Sequence, residues 1–214
     1  RVDVPGDLLD AHAFFKEFRR ELKRLKPEAY LVGEIWQRDA RWLRGDEFDS
    51  LMNYAIGRDI LLRFAKGGSP VLYGGRQALG DLSRTYALYP EAVAGMGFNL
   101  ISSHDTARLL TEVGAGGLKE TPSQEARSRG RLAAAMLFAL PGVPVVFQGD
   151  ECGFTGEKPG APPYDLQRYP IQWDRCDEET LAFYKKLSAL RRELPSLRSA
   201  VFRSYRGEGH LLAF

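Results

Sequence analysis

The chain has 214 residues, of which 44% are hydrophobic and 27% charged, a composition typical of a globular protein with a sizeable core. The formal net charge is only +2, and no basic block is long enough to indicate a nucleic-acid partner. No apolar run reaches the roughly 18 residues that a membrane span needs. We therefore predict that neither nucleic acid nor a membrane is a partner.

The two cysteines, Cys152 and Cys176, lie far apart and have no metal-ligand spacing around them. We expect them to be reduced, inert thiols, and a disulfide between them stays open as the alternative. Both ends of the chain resemble the interior of strands, from Arg1 to Pro5 and from His210 to Phe214. We therefore interpret the sequence as a piece of a longer protein, so the lack of a signal peptide gives no information about the compartment.

The first half of the chain alternates short apolar runs with helical patterns. Arg1 to Val4 is typical of a strand end, and Asp10 to Lys26 carries apolar residues at helical spacing until Pro27. The run YLVGEIW, Tyr30 to Trp36, predicts a buried strand of a parallel sheet. The next predicted elements are a strand and two helices, at Phe48 to Tyr54, Asp59 to Ala65 and Arg76 to Leu88.

The second half repeats this alternation. Strands are predicted at Phe98 to Ser102 and Val143 to Phe147, and helices at Thr106 to Val113, Glu125 to Leu140 and Glu178 to Leu194. A long loop, Gly153 to Trp173, precedes the last helix, and Val201 to Tyr205 with His210 to Phe214 predicts a β-hairpin. Alternating strands and helices predict a parallel α/β sheet. Five strands are too few for a closed eight-stranded barrel of about 250 residues, and correspond to half of one.

Three carboxylates stand at the predicted strand ends: Asp3, Glu34 and Asp105. Arg1 lies two residues before the first, and His104 is beside the third. The carboxyl ends of barrel strands are where catalytic groups sit. Two carboxylates that flank a scissile bond are what glycoside hydrolysis requires, one as acid and one as nucleophile or base. The spacing therefore indicates a glycoside-cleaving site but does not identify the sugar.

Structural interpretations of the same residues stay open. In the alternative interpretation, Asp3 is a surface acid without a catalytic role, and His104 is a structural histidine. Ser103 or Asp105 is explained as the N-cap of the helix predicted from Thr106, since caps are commonly Ser, Thr, Asp or Asn.

Four ordered segments resemble successive motifs of the α-amylase family of retaining glycoside hydrolases, family 13: RVDVPGD, GEIWQRDARWLRGDEFDSLMNY, GFNLISSHDTARLL and GVPVVFQGDECGFTG. The loop from Trp36 to Tyr54 is similar to the branch that holds neopullulanase, cyclomaltodextrinase and maltogenic amylase. The resemblance implies that residues 1–195 form the C-terminal half of a catalytic (β/α)8 TIM barrel. It implies that residues 196–214 begin a C-terminal β-sandwich domain.

The resemblance also implies roles for individual residues. Asp3 corresponds to the nucleophile, Glu34 to the general acid/base and Asp105 to the transition-state stabiliser. Substrate contacts are implied for Arg1, His104, Trp36 and Arg168.

Two positions depart from the pattern of the branch. Gln37 stands where a histidine is frequent, and Tyr164 stands where an aspartate often lies four positions before Arg168, with Asp165 next to it. The family motif that contacts calcium in many members lies before residue 1, so this chain gives no basis for a metal site.

The implied function is retaining hydrolysis of α-1,4-glucans such as maltooligosaccharides, with α-1,6-linked and cyclic glucans open as substrates. The implied reaction needs no redox or organic cofactor, and we expect a cytoplasmic location and a homodimeric parent enzyme. The alternatives are a transglycosylase or isomerase of the same family, of the branching or trehalose-forming type, and a non-catalytic binding subunit. We predict that the 214 residues alone lack glycosidase activity and associate, because exposed sheet edges pair or aggregate.

Overall fold

The computed structural model describes residues 1–118, 120–162 and 165–214. Its centre is a four-stranded parallel sheet in the order β1-β2-β3-β4. The strands are Val32–Gly33 (β1), Ser50–Asn53 (β2), Phe98–Leu100 (β3) and Val143–Val145 (β4). Val2 extends the sheet through a parallel bridge to Gly33, so the five predicted strand segments lie side by side in chain order. The predicted α/β fold with a parallel sheet is confirmed.

Helices cover the sheet and connect its strands. The α-helices are Ala11–Leu25 (α1), Tyr54–Ile56 (α2), Arg63–Ala65 (α3), Pro70–Tyr73 (α4), Gly75–Ala87 (α5), Glu91–Ala94 (α6), Gln124–Ala139 (α7) and Glu178–Glu193 (α8). Segments Gly57–Leu62 and Thr111–Ala115 are π-helical, and the first joins α2 to α3. Short 3-10 turns occur at Pro5–Asp7, Ala40–Leu43, Asp150–Cys152, Leu166–Arg168, Trp173–Arg175 and Pro195–Arg198. No helix in these described ranges combines the length and apolar composition that a membrane span requires.

Two apolar clusters hold the helices in place. The larger cluster joins the π-helical segment to α5, α7 and α8 through Ile60, Leu82, Leu137 and Tyr184. The smaller cluster packs α1 on the edge of the sheet, where Phe15 meets the Phe48 ring at 4.9 Å between ring centroids. The apolar periodicity of the sequence indicates which face of each long helix is buried. Burial of one apolar stripe is what stabilises helices of this kind.

The strands are shorter than predicted, and one predicted helix begins later. Beyond β1 the backbone still pairs, since the amide of Glu34 donates to the carbonyl of Val2 at 3.0 Å. The prediction that a helix begins at Thr106 is wrong. The amide of Ser103 donates to Thr106 Oγ1 at 2.9 Å, and these residues form a turn. The π-helical segment begins only at Thr111. Consequently neither Ser103 nor Asp105 caps a helix at Thr106.

The predicted hairpin is present with a shifted first strand. It pairs Arg206–Glu208 (β5) with Leu211–Ala213 (β6) in antiparallel register, whereas residues 201–205 are not a strand. Gly207 lies inside β5, opposite Leu212. A Cβ on Gly207 would lie 2.2 Å from the carbonyl oxygen of Gly75, so the hairpin rests directly on the start of α5.

Replacing Gly75 by Ala is expected to destabilise the full-length protein by about 3 kcal/mol, at the upper end for overpacking. A Cβ there would lie 1.8 Å from the carbonyl oxygen of Leu211, and a backbone atom cannot move aside cheaply. Denaturant unfolding measures the loss. The matched control is Gly160→Ala, because a Cβ at Gly160 meets nothing within 4 Å. Equal unfolding free energies for the two variants would contradict the close contact.

The expectation of reduced thiols is wrong, because Cys152 and Cys176 form a disulfide. The chain leaves β4 through the turn Asp150–Cys152 and returns at the start of α8, where the amide of Asp177 donates to the carbonyl of Cys152 at 3.0 Å. Helix α8 therefore begins beside the turn Asp150–Cys152 that follows β4. That proximity depends on the course of the intervening loop, which cysteine spacing does not reveal.

Candidate active site

The predicted site residues converge on one open cleft at the carboxyl ends of the strands. The cleft is lined by Asp3, Val4, Glu34, Trp36, His104, Asp105, Lys158 and Arg168. Arg1, the remaining predicted residue, contacts two of these side chains. The parallel register explains the convergence, because each strand delivers its following residues to the same edge of the sheet.

Arg1 binds two of the three predicted carboxylates. Its Nη1 lies 2.6 Å from Asp3 Oδ1, and its Nη2 lies 3.1 Å from Glu34 Oε2. Asp3 follows the bridge residue Val2 and its side chain is 71% exposed, whereas the Glu34 side chain is only 3% exposed. One guanidinium therefore holds an exposed carboxylate and a buried carboxyl group close together.

The pKa of Glu34 is raised above its usual value, chiefly because burial disfavours the charged form. The carboxyl group of Asp3 raises this pKa further. The amide of Val4, which donates to Glu34 Oε2 at 3.3 Å, and the charge of Arg1 oppose the increase. Glu34 consequently keeps its proton to higher pH than an exposed glutamate, as a general acid must.

Asp105 is surrounded by donors. Arg168 Nη2 donates to its Oδ1 at 2.9 Å, and His104 Nε2 lies 3.0 Å from its Oδ2. Lys158 Nζ lies 3.8 Å from Oδ1. The backbone amide of Asp105 donates to Ser103 Oγ at 3.1 Å, which fixes the position of the residue. One guanidinium, one imidazole and one ammonium group therefore surround the Asp105 carboxyl group.

The loop after β4 supplies a buried side chain that sequence analysis missed. Gln167 is fully buried, and its Nε2 donates to the carbonyl of His104 at 2.7 Å and to Asp165 Oδ1 at 3.1 Å. Arg168 Nε donates to the same carbonyl at 2.9 Å. Tyr164, the position that departs from the branch pattern, lies outside the described residues. Asp165 instead pairs with Arg168 at 3.5 Å.

Trp36, which lines the cleft, is supported from behind by Tyr54. Trp36 stacks on Tyr54 with ring centroids 3.9 Å apart and planes 4° from parallel. The Tyr54 hydroxyl donates to Ser103 Oγ at 3.1 Å, and the same Ser103 oxygen accepts the amide of Asp105. Tyr54 therefore connects Trp36 to the third carboxylate. The sequence places Tyr54 at the end of a predicted strand. It does not reveal these side-chain contacts, because they produce no periodic pattern in the sequence.

Asp150, the acidic residue after β4, does not reach the cleft. It is buried, accepts from the Ser102 hydroxyl and lies 3.7 Å from Arg108 Nη1. Complete burial raises the pKa of Asp150 to about 7, against the lowering effects of Ser102 and Arg108. We infer that Asp150 has a structural role, in which it holds Ser102 and Arg108 near the ends of β3 and β4. Within the described ranges, no three His, Cys, Asp or Glu side chains are grouped to hold a metal ion.

The disulfide holds the ends of the loop that carries Arg168. Removing it in the variant Cys152→Ala/Cys176→Ser is expected to lower the unfolding free energy by about 3 kcal/mol, from loop-closure entropy over a separation of 24 residues. The measurement is denaturant unfolding of the full-length protein with and without reductant. Reductant should destabilise the wild type and leave the double variant unchanged. A wild type that is insensitive to complete reduction would contradict this role.

Comparison with known proteins identifies the family. Residues 4–186 match the model of the alpha amylase catalytic domain. Maltogenic alpha-amylase of Bacillus acidopullulyticus is 36% identical over 92% of this chain and 30% of its own length. Neopullulanase 2 of Thermoactinomyces vulgaris is 36% identical over all of this chain and 34% of its own. The intracellular maltogenic amylase of Bacillus subtilis strain 168 is 31% identical over 99% of this chain and 31% of its own.

Among solved structures, the type III pullulan hydrolase from Thermococcus kodakarensis superposes with a TM-score of 0.92 and 53% identity. That alignment covers 98% of this chain and 35% of the hydrolase. The chain thus spans about a third of the length of its curated relatives. The match over residues 4–186, together with identities above 30%, shows that the chain belongs to the alpha-amylase catalytic-domain family.

Proposed function

We propose that the full-length protein is a retaining glycoside hydrolase of α-1,4-glucans that acts on maltooligosaccharides. The observation that carries this proposal is the pairing of two unlike carboxyl groups through Arg1. Glu34 is buried and its pKa is raised, while Asp3 is exposed and paired with a guanidinium. An acid and a nucleophile of this kind, side by side, are what retaining hydrolysis requires.

In this mechanism Asp3 attacks the anomeric carbon while Glu34 donates its proton to the departing glycosidic oxygen. The bond to the leaving sugar breaks, and a covalent glycosyl ester on Asp3 forms. Glu34, now ionised, removes a proton from water, and the resulting hydroxide opens the ester and restores Asp3. Asp105 stabilises the positive charge that develops on the sugar ring in both steps. No redox or organic cofactor enters the reaction.

Arg1 interacts with both the nucleophile Asp3 and the acid Glu34. Its Nη1 pairs with the carboxylate of Asp3, which must attack as an anion. Burial raises the pKa of Glu34 despite the same arginine, because desolvation is the largest influence on it. When Glu34 loses its proton after the first step, the guanidinium at 3.1 Å is already placed to stabilise the new anion.

Product analysis tests the proposal. The full-length protein is incubated with maltotriose, pullulan and a cyclic maltodextrin, since the 53% identical structure is named a pullulan hydrolase. Release of products that first appear as the α-anomer supports retaining hydrolysis. Longer oligosaccharides or isomerised products in place of hydrolysis would instead assign the protein to the transferases of the family. Absence of turnover on all three substrates would contradict the proposal.

The wider architecture is part of the same proposal. We infer that residues 1–195 are the C-terminal half of a (β/α)8 barrel, supported by the parallel strands in chain order. Residues 196–214, which contain the antiparallel hairpin, then begin a β-sandwich domain. A homodimer of the full-length protein is the expected assembly, and light scattering tests it.

The proposed location is cytoplasmic, supported by the name of the intracellular amylase of Bacillus subtilis. The disulfide restricts this proposal. Disulfides persist in oxidising compartments or inside hyperthermophilic cells, and a reducing cytosol opposes them. A cytoplasmic location of this protein therefore requires that it comes from a hyperthermophilic cell.

A further inference from the structure

We propose that Lys158 is a specificity-determining residue that binds hydroxyl groups of the sugar units on the side of the cleft away from the leaving group. This inference rests on the proposed function and extends it to the length of glucan that the site recognises. Lys158 lines the same cleft as the three carboxylates, on a loop to which the sequence assigned only Arg168. The ligand is a neutral glucan whose hydroxyl oxygens accept from the ammonium group.

The order of the strands places Lys158 on this side. Asp3 lies at the outer edge of the sheet, Glu34 follows β1, and Asp105 follows β3. The loop with Lys158 and Arg168 follows β4, beyond Asp105. Since Glu34 protonates the leaving oxygen, the leaving group lies toward the β1 side, and the sugar units that remain attached to the reacting ring extend toward β4.

The contact between Lys158 and Asp105 leaves the ammonium donors available for a ligand. Its Nζ lies 3.8 Å from Asp105 Oδ1, which is an ion-pair distance and too long for a hydrogen bond. Arg168 already donates to that oxygen at 2.9 Å. The Lys158 side chain is 38% exposed, so it faces solvent in the cleft while the carboxylate holds its charge nearby.

The residues before Lys158 are anchored to the segment at 108–118. The amide of Gly156 donates to Thr111 Oγ1 at 2.8 Å, and its carbonyl accepts the amide of Arg108 at 2.9 Å. The Glu157 carboxylate accepts the amide of Leu118 at 2.9 Å. A residue held by this many contacts presents its side chain at a fixed place, which lowers the entropic cost of binding a sugar.

Substrates of different length test the proposal in the full-length protein. Lys158→Gln should lower kcat/KM for p-nitrophenyl α-maltoside by about tenfold, as expected for one hydrogen bond from a charged group. It should change kcat/KM for p-nitrophenyl α-glucoside, which has no second sugar, by less than about twofold. Lys158→Arg should recover most of the maltoside activity, because it keeps the charge. The control is Lys185→Gln on the exposed face of α8, which should leave both substrates unaffected.

Two results would overturn the assignment. Equal losses on both substrates would show that Lys158 acts on Asp105 and not on a further sugar. Unchanged kinetics on both would show that the lysine makes no contact with substrate. Failure of the proposed function is distinguishable from these outcomes, because the wild-type protein would then turn over neither glycoside nor maltotriose.

Discussion

Replacing Glu34 by Gln is expected to lower kcat for maltotriose by about 10²- to 10⁴-fold, the range for loss of a general acid. Gln has nearly the same shape and can still bind Arg1 through its amide oxygen, but it has no acidic proton for a poor leaving group. An aryl glucoside with an acidic phenol leaves without full protonation, so its first step should suffer much less. The ratio of the two losses, measured by pre-steady-state release of the phenol, is the informative quantity.

The pH profile gives a second test of the same residue. Because burial raises the pKa of Glu34, its acid form persists to higher pH than that of an exposed glutamate, and kcat/KM should fall as the pH rises through the raised value. This decrease of kcat/KM at high pH, the basic limb of the profile, should be absent in Glu34→Gln. The control variant is Glu28→Gln at an exposed turn, which should keep the limb and the activity. Equal losses on maltotriose and the aryl glucoside would assign Glu34 a structural role.

Replacing Asp3 by Asn is expected to abolish turnover of both substrates, by about 10⁴-fold or more, because the nucleophile itself is lost. An activated leaving group cannot compensate for this loss, in contrast to Glu34→Gln. The variant also removes the Asp3 charge that raises the pKa of Glu34, so any residual basic limb should shift to lower pH. Steady-state kinetics on both substrates measure the effect.

The folding control for Asp3→Asn is thermal unfolding. The Asp3 side chain is 71% exposed, so the substitution should change stability by less than about 0.5 kcal/mol, as for an ordinary surface position. A stable variant that keeps full activity on the aryl glucoside would remove Asp3 from the reaction. A variant that loses stability and activity together would make Asp3 a structural residue.

Much of this site could be predicted because strand ends are local features of the sequence. The apolar run before Glu34 and the apolar run before Asp105 each locate a strand, and parallel register then brings their carboxyl ends together. These inferences need only the order of the elements.

The residues that were missed depend on long-range approach. Gln167 reaches the carbonyl of His104 from 63 positions away, and Tyr54 reaches Ser103 from 49. The course of the loop after β4 brings Cys152 and Cys176 together, and no periodicity encodes it. The hairpin was shifted for a similar reason. A Cβ on Gly207 would lie 2.2 Å from the carbonyl oxygen of Gly75, and no sequence pattern reveals this close contact with α5.

The central claim is that Asp3 forms a covalent bond with the sugar. Retaining enzymes place their two carboxyl groups about 5 to 5.5 Å apart, which leaves no room for a water molecule to attack. Arg1 contacts both Asp3 and Glu34 and so holds the two carboxyl groups near each other.

A fluorinated α-glucosyl inhibitor tests this claim directly in the full-length protein. The inhibitor slows opening of the ester, so the labelled enzyme accumulates and is digested for peptide mass mapping. We expect the added mass on the peptide that contains Asp3, and no labelling of Asp3→Asn. Label on the peptide that contains Asp105, or a first product with inverted anomeric configuration, would contradict the account.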